Sequence, residues 1–481
     1  MKSFRLLLIA ILFVTILALP GKVAQAGGPT GTWASGIACQ NLDNVNLANV
    51  SLVFYPQLNG TSAITYNTTI AAGASKNWLT TSGVSMPGFP SSFVGSALVT
   101  SDRAIACNVN SQSTGTGTTG DPYRIGTSAG LGSGQTASTI YIPQTIKEFS
   151  GFNSYISVQN TSATSVNVTV SYFNSAGSEI VAAQEQAAIP GYAAKVFYQN
   201  DNANLPAGFN GGAKVVSSNV GVQLATTVAI FRDAANYTRT QFLSYNGFAS
   251  GSAKVFVPRF VRNLIGYNSG MAIQNVGATP TVVTVVFNFQ GTQYTYTSPS
   301  IAPNTSHLLY APSMALLAPI DALAGGLRQG SAVVSVDDLA NDRIVVTVNE
   351  DNQTGEATRL GHGTTYNAPA DGSQTTTVFF TQFTKAAGGI FSSGFQVSNT
   401  TTSAGTCNIV YSADPTANES NVPLPASGTI VRFAPQIVAL DAGYNAAVKV
   451  TCTQAITGIV NLAAYGGKYG DSFTQTTGLN Q

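Results

Sequence analysis

Apolar and polar residues alternate strictly over several short stretches of this chain. Val166, Val168, Val170 and Tyr172 are separated by Asn167, Thr169 and Ser171, and Val283, Val285, Phe287 and Phe289 repeat the spacing further along. A period of two places the apolar side chains of a stretch on one face, so each predicts a β-strand with one side in a core. Turn signals follow, at Gly60, Gly177 and Gly291, and then a corner rich in proline or glycine. The corners read Ile70…Gly73, Ile189-Pro190-Gly191, Ile301-Ala302-Pro303 and Leu424-Pro425. Only Ser313–Leu323 offers a helical stretch, and Pro319 interrupts it before Gly325-Gly326. It is expected to be a short insertion.

Four segments begin alike. They are Ser35-Gly36-Ile37-Ala38-Cys39-Gln40-Asn41, Ser154-Tyr155-Ile156-Ser157-Val158-Gln159-Asn160, Ser269-Gly270-Met271-Ala272-Ile273-Gln274-Asn275 and Ser393-Gly394-Phe395-Gln396-Val397-Ser398-Asn399. Their closing asparagines lie 119, 115 and 124 positions apart, the length of a domain rather than of a solenoid repeat. A second string recurs in order: Ala207-Gly208-Phe209-Asn210-Gly211-Gly212-Ala213-Lys214-Val215 matches Ala442-Gly443-Tyr444-Asn445-Ala446-Ala447-Val448-Lys449-Val450. Short strands with a turn signal every ten or so residues predict β-sandwiches.

The fold class expected is therefore all-β, a tandem array of four Ig-like antiparallel β-sandwich domains. The boundaries are 1–26 for a signal peptide, then repeats at 27–136, 137–250, 251–373 and 374–481. Ile140-Tyr141-Ile142-Pro143, Val255-Phe256-Val257-Pro258 and Val378-Phe379-Phe380 lead into the later repeats. These junctions are apolar, unlike Gly/Ser linkers, so neighbouring repeats are expected to touch and to form a semi-rigid rod.

The N-terminus supplies an address. Lys2 and Arg5 precede the apolar stretch Leu6–Leu19, and Ala24-Gln25-Ala26 places small residues where a signal peptidase cuts. Removing residues 1–26 takes away Lys2, Arg5 and Lys22 and no acid, so the net charge moves from +1 to −2. The product is expected to be secreted, extracellular or surface-associated, with no transmembrane segment left. In such a compartment four cysteines predict disulfides. Cys39 shares a strand face with Ile37, Cys107 with Ile105, Cys407 with Ile409, and Cys452 with Val450. Pairing within a repeat, Cys39 to Cys107 and Cys407 to Cys452, would then join strands around one core.

Composition excludes more than it selects. Charged residues are 9% of the chain, against about 25% in ordinary soluble domains. A net charge of +1 gives no basic field for nucleic acid. His307 and His362 are the only histidines; His307 is expected in the corner after Asn304-Thr305-Ser306, and His362, between two glycines, in a solvent-exposed turn. Asp337-Asp338 and Glu350-Asp351 are the densest acids. Adjacent residues on a strand face opposite ways, so they read as solvated turn acids, not a glycosidase couple. Asn200-Asp201-Asn202-Ala203-Asn204 offers oxygens for calcium but lacks the glycine and distal glutamate of a calcium loop. The aromatic residues fall mostly on inward strand positions. No catalytic, cofactor-binding or metal residue is expected, and no cofactor.

The four Asn-closed strand starts and the Phe/Tyr-Asn-Gly/Ala-x-x-Lys-Val strings, with the low charge, resemble bacterial secreted tandem β-sandwich proteins of the surface-layer and adhesin kind. That resemblance implies a display, adhesion or coat role. The function expected is a secreted cell-surface structural or adhesive protein, not an enzyme, that self-associates or binds cell-surface polymers. A carbohydrate-binding module array is the alternative, and a secreted glycoside hydrolase or peptidase the third.

Overall fold

The computed structural model describes residues 28–480 apart from 63, 82, 84, 91–92, 114–122, 234–239, 353–358 and 465–469, together with the backbone of Leu12–Ala18. The protein is all-β, built of antiparallel sheets that pair face to face into sandwich-like units. Between residues 139 and 246 one sheet has the order Glu185–Ile189, Val166–Phe173, Phe209–Ser217, Thr139–Lys147. Its partner runs Ala194–Tyr198, Asn153–Asn160, Leu224–Arg232, Gln241–Asn246. The same order recurs from Lys254–Val261 to Gly363–Asn367, and before it from Leu12–Ala18 to Tyr123–Ala129. In the last pair a single strand, Asn445–Ala464, runs through both sheets, between Gly405–Tyr411 and Thr375–Thr384 and then beside Phe391–Asn399.

The alternating stretches explain these sheets. Val166, Val168, Val170 and Tyr172 are buried in one core with Ile140, Ile156 and Val215, while Asn167 faces solvent. Val283, Val285, Phe287 and Phe289 lie in a second core. Two further clusters gather around Leu52 and Phe54 and around Phe395 and Tyr411. Each fully buried side chain of this size contributes roughly 1.5–3 kcal/mol, which is why the pattern survives in every sheet pair.

The asparagine closing each similar segment is a clamp. Asn160 Nδ2 donates to the carbonyls of Thr164 at 2.7 Å and Ile189 at 3.1 Å, while its Oδ1 accepts the amide of Ser162. Asn275 does the same with Thr279, Ile301 and Gly277, Asn399 with Ser403, Pro425 and Thr401, and Asn41 with Asn46, Ile70 and Asp43. One carboxamide thus ties the turn after its own strand to the corner between two later strands. It satisfies backbone groups that the sheets leave open. The corner and the asparagine recur together because they are bonded together.

The sheet pairs do not extend into a rod. The strands that close them, Tyr123–Ala129, Gln241–Asn246, Gly363–Asn367 and Phe473–Thr477, pack on one another in cyclic order, the last returning to the first. At the rim, Thr375–Thr384 of the last pair packs on Trp33–Asn41 of the first, and Phe379 joins Leu42 and Ala106 in one buried cluster. The result is a ring. Its joints use the prolines of the apolar junctions. Pro143 and Pro258 lie inside lead strands that bulge beside them, and their carbonyls turn outward. Ser306 Oγ donates to Pro143 O at 2.5 Å; Gln396 Nε2 and Ser398 Oγ donate to Pro258 O at 2.7 and 2.8 Å. Contact between repeats was legible in the junctions, but its curvature was not.

Residues 315–322 form a 3₁₀ segment rather than an α-helix. Pro319 has no N–H to give, and the flanking amides of Leu317 and Leu323 reach three residues back, to Met314 and Ile320. Cys39 bonds to Cys107 and Cys407 to Cys452, each pair directly opposite across antiparallel strands. Among the described residues no helix is long and apolar enough to cross a membrane.

Candidate functional site at the junction of the closing strands

Several buried polar and charged side chains collect where the closing strands meet. Two of these strands carry the same dipeptide, Tyr245-Asn246 and Tyr366-Asn367. Each tyrosine hydroxyl donates to a carbonyl of its own lead strand, Tyr245 to Gln144 and Tyr366 to Arg259. Burial holds both phenols neutral, far above the usual tyrosine range. The asparagines bridge strands. Asn367 Oδ1 accepts the amide of Asn246 at 2.9 Å, Asn367 Nδ2 donates to Asn246 O at 2.6 Å, and Asn246 Nδ2 donates to Ala129 O at 2.7 Å.

Asp471 closes the ring. Gly470–Asp471 pairs parallel with the start of Tyr123–Ala129. The carboxylate accepts the amides of Phe242 at 2.9 Å, Gly363 at 2.9 Å and Phe473 at 3.2 Å. It is fully buried. Burial pushes its pKa well above the ordinary carboxylate value, and the three amides and the Arg232 charge pull it partly back. Nearby, Arg259 holds Glu350 through two parallel bonds of 2.8 Å, and Gln475 Nε2 adds a third at 2.9 Å. Glu350 is buried, contrary to its expected place in a solvated turn. The alternation of its strand, Ile344–Asn352, turns it inward to the arginine that the lead-strand bulge presents. Asp338 sits in the exposed turn expected of it, capping Ala340 and Asn341.

His362 is fully buried, not in an exposed turn. Tyr267 OH lies 2.6 Å from its Nδ1 and Ser472 Oγ 3.1 Å from its Nε2. Serine, histidine and a third polar group in a row invite comparison with a nucleophile, its base and an orienting group. Two facts argue against it. Burial lowers the imidazole to about 3, so it is a poor proton acceptor at neutral pH. Ser472 and His362 are both without solvent access, so no substrate reaches them. The trio fastens the last closing strand to the one before it. His307, expected in a corner, lies half-buried in the strand Ser306–Tyr310 that follows it, bonded to and stacked on Tyr296.

A cleft of about 430 Å³ opens beside this junction, lined by residues of all four closing strands, among them Ser128, Asn246, Asn367 and Gln475. Among the described residues no acidic, basic, histidine or cysteine side chain lines it. Among the described residues no three His, Cys, Asp or Glu side chains stand together as metal ligands. In the Asn200–Asn204 loop, Asn202 turns inward, donating to Ala183 O at 2.6 Å and accepting the amides of Asn204 and Leu205. Lys147 Nζ takes the Asn202 carbonyl. The oxygens of Asn202 are thus engaged by the loop's own amides and by Lys147. Both tryptophans are buried, Trp33 against Phe242 with ring centroids 4.4 Å apart.

Sequence reasoning passed over this junction because its polar residues are scattered, at 259, 350, 362 and 471. The repeated Tyr-Asn pair was the available signal. No family model matches the chain, and no curated protein matches it. Among solved structures, the chain is similar over 25% of its length to the crystal structure of Thermotoga maritima 1070, of which that segment covers 96%, at 15% identity and a TM-score of 0.20.

Proposed function

We propose that this protein is an exported, non-enzymatic structural or adhesive component built of four tandem β-sandwich domains of Ig-like character, closed into a ring that associates through its outer sheet edges. The observation that carries this reading is the character of those edges. Ile64–Ile70 and Thr292–Thr297 end their sheets and carry no charge, and over residues 64–69 and 293–297 they alternate between half-buried and exposed positions. An uncharged, regular edge is a template for pairing with another chain, and soluble proteins ordinarily blunt such edges with lysine or proline. The low charge of the whole chain removes the repulsion that would keep copies apart. The interior supports the non-enzymatic part of the reading, since His362, Asp471, Glu350 and Arg259 are each engaged in fastening strands.

Light scattering across protein concentration and ionic strength tests this. Association is expected, with little dependence on salt, and Thr295→Lys with Thr68→Lys should weaken it. A protein that stays monomeric at high concentration and hydrolyses a polysaccharide or peptide would overturn the proposal.

A further inference from the structure

In three of the sheet pairs a lead strand covers the open side of the strand that carries the repeated Gly/Ala string. Thr139–Lys147 lies on Phe209–Ser217, Lys254–Val261 on Gln329–Val336, and Thr375–Thr384 on Asn445–Ala464. In the first pair the same place, on Phe93–Ser101, is taken by Leu12–Ala18, with seven residues in register from Leu12 opposite Val99 to Ala18 opposite Phe93. That segment lies within the apolar core of the export signal. The first pair therefore borrows its lead strand from a part of the chain that processing removes.

The fit is incomplete at one atom. Each of the other lead strands donates a backbone amide to the first serine of the following strand: Ile146 to Ser154 Oγ at 2.8 Å, Val261 to Ser269 Oγ at 2.9 Å, Thr384 to Ser393 Oγ at 3.1 Å. Ser35 holds that position in the first pair. Its hydroxyl is buried and has no partner. Leu12–Ala18 completes the ladder but leaves this acceptor unserved, a cost that a better-fitting strand would remove. The place is also a slot rather than a bare edge. Ala97 and Val99 face the core of the first pair, and Val94 packs on the Trp33–Tyr155 cluster at the joint with the second. Leu12–Ala18 itself packs on Asn153–Asn160 across that joint.

We propose that Phe93–Ser101 is an acceptor for an apolar β-strand, filled by Leu12–Ala18 before processing and, once that segment is gone, by an extended uncharged segment of a partner polypeptide. This rests on the export reading above. Processing is hydrolysis of the Ala26–Gly27 bond by a signal peptidase, with one water consumed, leaving a carboxylate on Ala26 and an amine on Gly27. The incoming strand needs about seven residues, ~23 Å of extended chain. It needs no proline at ladder positions, and an amide in register with Ser35 Oγ. A second copy has no such strand to offer: its described strands are already held in sheets, and a strand fixed in a sheet cannot enter a slot walled on both faces. Strand addition of this kind draws affinity from main-chain bonds and specificity from the side-chain pockets.

The test uses protein secreted by a host with a signal peptidase. Its intact mass reads the N-terminus, hydrogen exchange reads the slot, and the probe is a peptide of the Leu12–Ala18 sequence flanked by lysines. A mass starting at Gly27 is expected, with outward amides of Phe93–Val99 exchanging at least about tenfold faster than those of Phe209–Val215. The peptide should bind one to one and restore protection, and a peptide with prolines in place of Val14 and Ile16 should not. Full protection without peptide, or no binding, in protein that starts at Gly27 overturns the acceptor while leaving export intact. A mass that retains residues 1–26 overturns the export reading and, with it, the opening of the slot.

Discussion

The Asp471 carboxylate accepts the backbone amide of Phe242 at 2.9 Å, across 229 positions of sequence. With Gly363 and Phe473 on the same group, one buried side chain joins three of the closing strands and, through Gly470–Asp471, borders the fourth. Asp471→Asn replaces one acceptor oxygen with a donor and leaves at least one buried amide unpaired, which costs about 1–3 kcal/mol. Thermal unfolding should show the loss; an unchanged melting temperature would mean the carboxylate is not a tie.

Acid should act on the protein through His362. Its imidazole titrates near 6.5 when unfolded and about 3 when buried in the fold. Below pH 6.5 the unfolded chain therefore binds a proton that the folded chain refuses. Stability falls with decreasing pH by up to about 1.4 kcal/mol per unit until the folded value is reached. Asp471 opposes this. Its raised pKa lets the folded state take up a proton first, so its contribution improves as pH falls toward the unfolded value of 3.8. The two are separated by His362→Gln. Between pH 7 and 5 the wild type should lose about 2 kcal/mol more than the variant in chemical denaturation. Parallel pH profiles would contradict the burial of a neutral imidazole.

Closure into a ring predicts a compact particle. A globular chain of this length has a radius of gyration of about 23 Å, and a rod of the same sandwiches roughly twice that. Small-angle scattering at a concentration where the protein is monomeric distinguishes them, and a rod-like value would break the cyclic contact of Phe379 with Leu42.

Close approach at the joint makes Gly126 sensitive. A methyl group there would stand 2.6 Å from the Phe242 ring, which already lies against Trp33. Gly126→Ala should destabilise by about 1–3 kcal/mol through forced repacking. Denaturant titration would show a lower midpoint; no shift would mean the joint is loosely packed.

Peptide mapping without reduction should recover Cys39 with Cys107 and Cys407 with Cys452. Replacing the second pair with alanines should cost about 2–4 kcal/mol. A peptide linking Cys39 to Cys407 would contradict the enclosure of each bridge in one core.

How much was legible varies by element. The strands around Val166–Tyr172 and Val283–Phe289 could be read directly, because a two-residue period is a local consequence of one face meeting a core. The four asparagines could be found as a repeat, and their partners, the Ile and Pro corners, recurred at matching places. The cysteine pairs followed from strand faces. What failed were His362 and Glu350, each expected in solvent and each found inside. Flanking glycines and neighbouring acids describe a residue's own turn, whereas its burial depends on strands a hundred residues away.

The same division separates the determinants of the whole molecule. The strand positions, the repeat with its closing asparagines and the disulfide partners are written in the sequence, because each depends on spacing along the chain or on a period that a single sheet pair enforces. Three-dimensional packing sets the rest: the bonds by which the asparagines clamp their corners, the curving of the sheet pairs into a ring, the place of Asp471 and His362 where the closing strands meet, and Leu12–Ala18 standing in for a lead strand. The last three depend on the angle at which one sandwich meets the next. That angle is set by proline carbonyls at the bulges and by contacts such as Phe379 on Leu42, between residues whose separation in sequence carries no period at all.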